Sequence, residues 1–226
     1  RTFADPIFWD AVKNTLITAF FAALLGVLLA LGFGYFYIFH PGTLVYKIAD
    51  FMNDFPIALP HTVAGLALLL AFGRKMFWFA GPTGLAFTLL AVALAMFFVS
   101  YPLAARTIAA SADEIDMDLI AVARTLGDSP ANAYRRVVIP VLGEAIFSAY
   151  VLIFARSLSE FAAVIMFGGN VPGMTQVLAS YVFSKVEEGE IGMAVTASAF
   201  CILLSLLLVL TLRLRGKYYA RNKGCT

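Results

Sequence analysis

The stretch that decides the fold is Leu119–Pro140, LIAVARTLGDSPANAYRRVVIP, which carries three arginines and an acid between two long apolar runs. It is punctuated as two short helices. Ile115, Leu119, Ile120, Ala123 and Leu126 recur at helical spacing. Asp113, Glu114, Asp116 and Asp118 crowd the first turns, where the helix dipole favours acids. Gly127 stands where a left-handed residue ends a helix. Ser129-Pro130 supplies an N-cap and a first-position proline for the next one. Pro140 limits that second helix by lacking a donor and constraining Ile139. Both helices are too short and too charged to cross a bilayer, so the spacing predicts a rigid, amphipathic helix–turn–helix over about 113–140.

The surroundings are of another kind. Hydrophobic residues make up 62% of the 226, charged residues 13%, and the mean hydropathy is +0.88. Soluble domains run nearer about 45–50% apolar and about 25% charged. Charge-free runs cover Asn14–Tyr46, Phe55–Gly73, Met76–Ala105, Phe161–Ser184 and Ile191–Leu212, each near or beyond the ~20 residues that cross the hydrocarbon core. The expected fold is all-α integral membrane, one domain over 1–226, with five transmembrane helices near 11–39, 56–74, 83–111, 142–167 and 190–214. A sixth would lie upstream if residues precede Arg1. The fourth is expected as one helix despite Arg156 and Glu160, because dividing it leaves an apolar piece too short to cross.

Basic residues set the orientation. With the 112–141 block and the C-terminus cytoplasmic, Lys47, Arg106, Arg124, Arg135, Arg136 and the C-terminal cluster outnumber Arg1, Lys13, Arg74, Lys75 and Lys185 outside. A multi-pass protein of the cell membrane is expected, its N-terminus outside. A net charge of +2 gives no reason to expect nucleic acid. Cys201 and Cys225 form neither a disulfide framework nor a metal cluster. No motif supports catalysis, and the phosphate-binding pattern Gly-x4-Gly-Lys-[Ser/Thr] is absent.

Several residues in the apolar runs invite a role. Arg156 and Glu160, four apart, share a helix face, and charges at such depth normally face a bundle interior or cavity. They form either a structural ion pair or a guide along a translocation path. Pro56, Pro60 and His61 open the second span, where prolines are tolerated beside a cavity. His61 is a packing residue or part of that path. Gly168–Gly173, with Asn170, is a turn-rich outer loop, part of an external gate, or a surface that meets a substrate-binding protein. Tyr101-Pro102 marks a kink, and Phe77, Trp78 and Phe79 an interface belt.

The polar block resembles the "EAA" loop of ABC-transporter permeases: Ala121-Val122-Ala123, then Gly127, Val137, Ile139 and Pro140 stand at the family spacing, with Ala121 in the place of the glutamate. FARSLSEFAAVIMFGGNVPGMTQVL, 154–178, is similar to the corresponding segment of molybdate and tungstate permeases. So are FPIALPHTVAGLALLL, 55–70, and ARTLG, 123–127. Ser159 and Ala162 replace usual glycines, and His61 a usual proline. Sulphate permeases share much of this pattern.

The resemblance implies the transmembrane subunit of an ATP-driven molybdate or tungstate importer working by alternating access, or of a sulphate or other oxyanion importer. It further implies a second copy of the chain, two ATP-binding subunits and an extracytoplasmic oxyanion-binding protein. ATP and Mg would be held by the ATPase subunits, with no cofactor on this chain. The coupling surface would comprise Asp118, Ala121, Ala123, Arg124, Gly127, Asp128, Ser129 and Pro130. The path or gate would comprise Pro60, His61, Arg156, Glu160 and Asn170. A secondary transporter would show inverted repeats, and an integral membrane enzyme a larger convergent set of polar residues; neither signal is present.

Overall fold

A computed structural model describes residues 1–73 and 83–223. Arg74, Lys75, the Phe77–Phe79 aromatic run and Cys225 lie outside the described residues. Those described are helical, without strands, and two glycines, Gly73 and Gly84, meet as an isolated bridge.

The helix α1, Pro6–Phe39, starts where Asp5 accepts a hydrogen bond from the Ile7 amide and Pro6 takes the first turn. After Pro41-Gly42 comes α2, Leu44–Ala58, capped by Thr43. The chain breaks at Leu59-Pro60, and α3 runs His61–Phe72. Thr88 caps α4, Leu89–Asp113, which carries Pro102 in its interior. The polar block follows as α5, Met117–Thr125, and α6, Pro130–Ala133. From α6 the chain opens into a π-helical turn, Tyr134–Val138, and closes as α7, Ile139–Val141. The last four helices are α8 (Gly143–Leu158), α9 (Ala162–Phe167), α10 (Leu178–Glu187) and α11 (Ile191–Lys223).

Among the described residues, α1 and α4 are long and apolar enough to cross a membrane, and Pro130–Val141 with α8 forms a pair bent by 72°. The segments His61–Phe72 and Ile191–Leu207 are apolar but shorter. Helices α1, α4 and α8 form the centre, where Ala19, Ala22, Ala23 and Ala30 face Ala91, Ala95 and Ala104 at full burial. Small residues let helices approach closely where lipid offers no hydrophobic drive between them. At Gly65 the approach is closest between α3 and α9: a Cβ there would lie 2.8 Å from both Cα and O of Ala163. Outward, Phe20, Phe21, Leu28, Leu203 and Leu206 stay exposed, as a lipid-facing surface requires.

Two expectations are corrected. The segment 142–167 is not one helix: α8 stops at Leu158 and α9 begins at Ala162. Ser159 turns its hydroxyl back onto the Arg156 carbonyl (2.9 Å), and Glu160 accepts from the Ala163 amide (3.1 Å), so side chains compete with the helical ladder. The second span is also broken. The segment before Pro56, expected as a connection, is a helix whose Asp50 and Asp54 pair with Arg106 of α4 at 2.7 and 2.6 Å.

Candidate coupling loop and intramembrane charge cluster

In the polar block the acids expected in the first turns divide: Asp113 and Glu114 end α4, Asp116 is the N-cap of α5, and Asp118 lies in its first turn. Asp116 accepts from the Asp118 amide at 2.9 Å, placing Asp118 in the first turn of α5. Gly127 adopts φ +95°, and the Asp128 amide reaches back to the Ala123 carbonyl at 3.1 Å. Ser129 accepts from Asn132, with Pro130 in the first turn of α6. Asp128 ties the two helices: its side chain lies 3.3 Å from Arg136, and its carbonyl accepts from Arg124 at 3.2 Å. Pro140 does not end the helix as expected: Ile139 keeps helical angles and α7 runs through Pro140 to Val141, the missing donor falling just after the widened turn, where Ile139 donates to Tyr134. Such π-turns occur mostly as single insertions within α-helices.

The apolar stripe expected on α5 divides. Ile115, Ile120 and Ala123 are buried with Ala133 and Tyr134 against α1 and α4, and the Tyr134 hydroxyl donates to the Leu31 carbonyl at 2.6 Å. Ala123 therefore faces the protein's own bundle, while Ala121 is exposed. Met117, Leu119, Val122 and Leu126 project outward, Leu126 at 83% exposure. This outward apolar face, missing from the residues singled out from the motif, was hidden because helical spacing alone does not say which of two faces is buried.

The second candidate site lies where both broken helix pairs meet. Glu160, 1% exposed, places Oε2 3.1 Å from Arg156 Nη1 and 3.3 Å from His61 Nδ1. Neither approach is an aligned hydrogen bond, so Oε2 is buried without one. Its Oε1 caps α9 through Ala163. Arg156 also donates to the Ser159 hydroxyl at 3.3 Å and has Nη2 within 3.2 Å of both His61 ring nitrogens. Arg156 and His61 remain partly open, whereas Glu160 is closed behind them. The neighbouring Ser157 meets Ser100 at 3.3 Å, which sets the cluster about midway along α4. His61 and Ser159, two of the positions departing from the permease pattern, thus both touch Arg156. Pro60 stands beside them as the N-cap residue of α3.

Asn170 is elsewhere. It donates to Ser184 at 2.8 Å and accepts from Gln176 at 3.0 Å, which holds the 168–177 loop together. That loop is fastened to α1 by Asn14, donating to the Met174 and Gln176 carbonyls, and by Thr15, accepting from Leu178. Beyond it, Tyr181 donates to Asp5 at 2.8 Å, and burial, then this carboxylate, push its phenol well above the usual range. It stays a donor at physiological pH.

Residues 15–222 match the family described as binding-protein-dependent transport system inner membrane component. The chain belongs to that family, as a membrane-embedded permease subunit of an ABC transporter; hydrolysis of ATP is the work of separate subunits. It is similar to the probable transport system permease protein NifC of Clostridium pasteurianum, 34% identical over 74% of this chain and 60% of that protein. With the sulfate transport system permease protein CysT of Salmonella typhimurium it shares 31% identity over 95% of this chain and 82% of the relative. A bacterial alginate ABC transporter, solved in complex with an alginate-bound periplasmic protein, has the same fold: TM-score 0.71 and 17% identity over 93% of this chain and 78% of that one.

Proposed function

We propose that this subunit, paired with a second copy of itself, forms the translocation pathway of an importer for a tetrahedral, doubly charged oxyanion. The observation that carries the reading is the Arg156 cluster, set where two interrupted helices meet halfway along α4. Unwound segments at such depth are tolerated where they line a cavity. A lone arginine attracts a dianion, and Glu160 beside it keeps that attraction weak enough for release. In this arrangement the chain crosses five times: α1, α2–α3, α4, α8–α9 and α11, with its N-terminus outside. The outward apolar face of α5 and the turn 127–130 dock on the ATP-binding subunit, which holds ATP and Mg. A rigid helix pair transmits that subunit's motion, biasing the bundle between inward- and outward-open states. An extracytoplasmic binding protein delivers the anion to the 168–177 side.

Within the oxyanions, the 154–178 motif supports molybdate or tungstate, and the resemblance to CysT supports sulfate. The test is uptake by proteoliposomes holding this chain, its ATP-binding subunit and its binding protein. Accumulation of sulfate, molybdate or tungstate that requires both partners and ATP is expected, and the preferred anion decides between the readings. Failure to accumulate any of the three would overturn the proposal.

A further inference from the structure

Glu160 is a carboxylate held where a substrate anion would be held. It is 1% exposed, close to one guanidinium and one imidazole, and its Oε2 receives no aligned hydrogen bond. The cations are better placed for something else. Arg156 and His61 are more open than the acid they accompany. Ser159 and Thr62 are exposed beside them; the Ser159 hydroxyl, which now donates to the Arg156 carbonyl, would have to turn from it to donate to an anion. The first turn of the twelve-residue helix α3 has no side-chain cap at Pro60, so its leading amides are left for another acceptor. Amides at a helix start favour negative charge, and with a guanidinium they suit a tetrahedral oxyanion.

The geometry points to a transient oxyanion site formed by Arg156, Ser159, His61 and the start of α3, in which Glu160 is a resident counter-anion that the substrate displaces from Arg156. This rests on the oxyanion reading above. An anion arriving from the open side takes the outward nitrogens of Arg156 and the Ser159 hydroxyl. Glu160 loses its hold on the guanidinium and keeps the Ala163 amide. When the anion moves on, Glu160 recovers Arg156. The competition makes binding weak by construction, as passage requires. It also ties the breaks at Leu59-Pro60 and Ser159–Phe161 together only while the site is empty.

The test uses the chain assembled with its ATP-binding subunit in nanodiscs, without binding protein, and radiolabelled sulfate and molybdate as probes. Wild type is expected to bind weakly. Glu160→Gln, which keeps the cap on α9 and removes the competing charge, is expected to bind one of the anions tighter by about tenfold or more, the scale of one close charge pair. In proteoliposomes with binding protein and ATP it should also slow uptake, because release is impaired. Adding Arg156→Ala should abolish this gain. If that double variant does not assemble, Ser159→Ala in the Glu160→Gln background should weaken retention instead. A purely structural ion pair predicts no tighter binding in Glu160→Gln, and that result, or a gain untouched by the second change, overturns the site. Wild-type uptake measured in parallel separates the two levels: its absence overturns the substrate reading, whereas uptake without the Glu160→Gln gain overturns only the site.

Discussion

Arg156 and Glu160 stand 3.1 Å apart, and the cost of separating them is unequal. Without Arg156 the closed-in carboxylate keeps the Ala163 amide and His61, and the imidazole offsets its charge only when protonated. Removing one partner of a buried pair costs about 3–5 kcal/mol, and because Arg156 is 27% exposed the loss falls toward the lower end. Arg156→Ala should therefore lower the yield and thermal stability of the assembled complex more than Arg156→Ala with Glu160→Gln, which removes the stranded charge. Equal losses in a detergent melting series would argue that the two do not act as a pair. His61 shows what spacing could not reveal: its partner is 99 positions along the chain by residue number, so only the fold brings it to Glu160.

At the scale of elements, the turn at Gly127 holds α5 and α6 at a fixed angle. Nothing lies within 4 Å of a Cβ built there, so the first carbon of a side chain meets open space and an unfavourable backbone conformation. Valine should cost about 1–3 kcal/mol at that φ, and asparagine, which tolerates it, much less. Gly127→Val should insert normally but lose stimulation of ATP hydrolysis by loaded binding protein, while Gly127→Asn should keep most of it. Equal stimulation in both would remove the turn from the coupling path. The roles of Gly127, Ser129 and Pro130 were legible in the sequence because they are local, acting within four residues of themselves, whereas Asp116, read as a first-turn acid, is the N-cap of α5. The long helices α1 and α4 were legible through length and apolarity. The break at Ser159–Phe161 was not, because apolar content cannot report that Ser159 and Glu160 turn onto the backbone. Nor was α2, which lies mostly outside the expected spans and whose Asp50 and Asp54 are answered by Arg106, more than fifty residues away. Helix α10 was absorbed into a charge-free run that the 168–177 loop in fact divides.

For the whole molecule, the proposed assembly covers the outward apolar face of α5 with an ATP-binding subunit and sets the partly open Arg156 cluster beside a second copy. Native mass spectrometry of the gently solubilised complex should show two copies of this chain with two ATP-binding chains. Loss of the ATP-binding chains on Leu126→Asp, with the membrane pair retained, would locate their seat at α5; retention would place it elsewhere. The 72° bend between Pro130–Val141 and α8 gives this assembly a mechanical character. It makes a bell crank whose short arm lies in the polar block and whose long arm is α8. At about 1.5 Å per residue, Arg156 rides roughly 20 Å from the pivot at Leu142. A tilt of about 10° there would swing the guanidinium by about 3 Å, as much as the whole gap that now separates it from His61 of α3. On the proposed coupling, a stroke too small to unfold anything in the polar block would thereby be geared up into making or breaking one contact between α8 and α3 deep in the bundle.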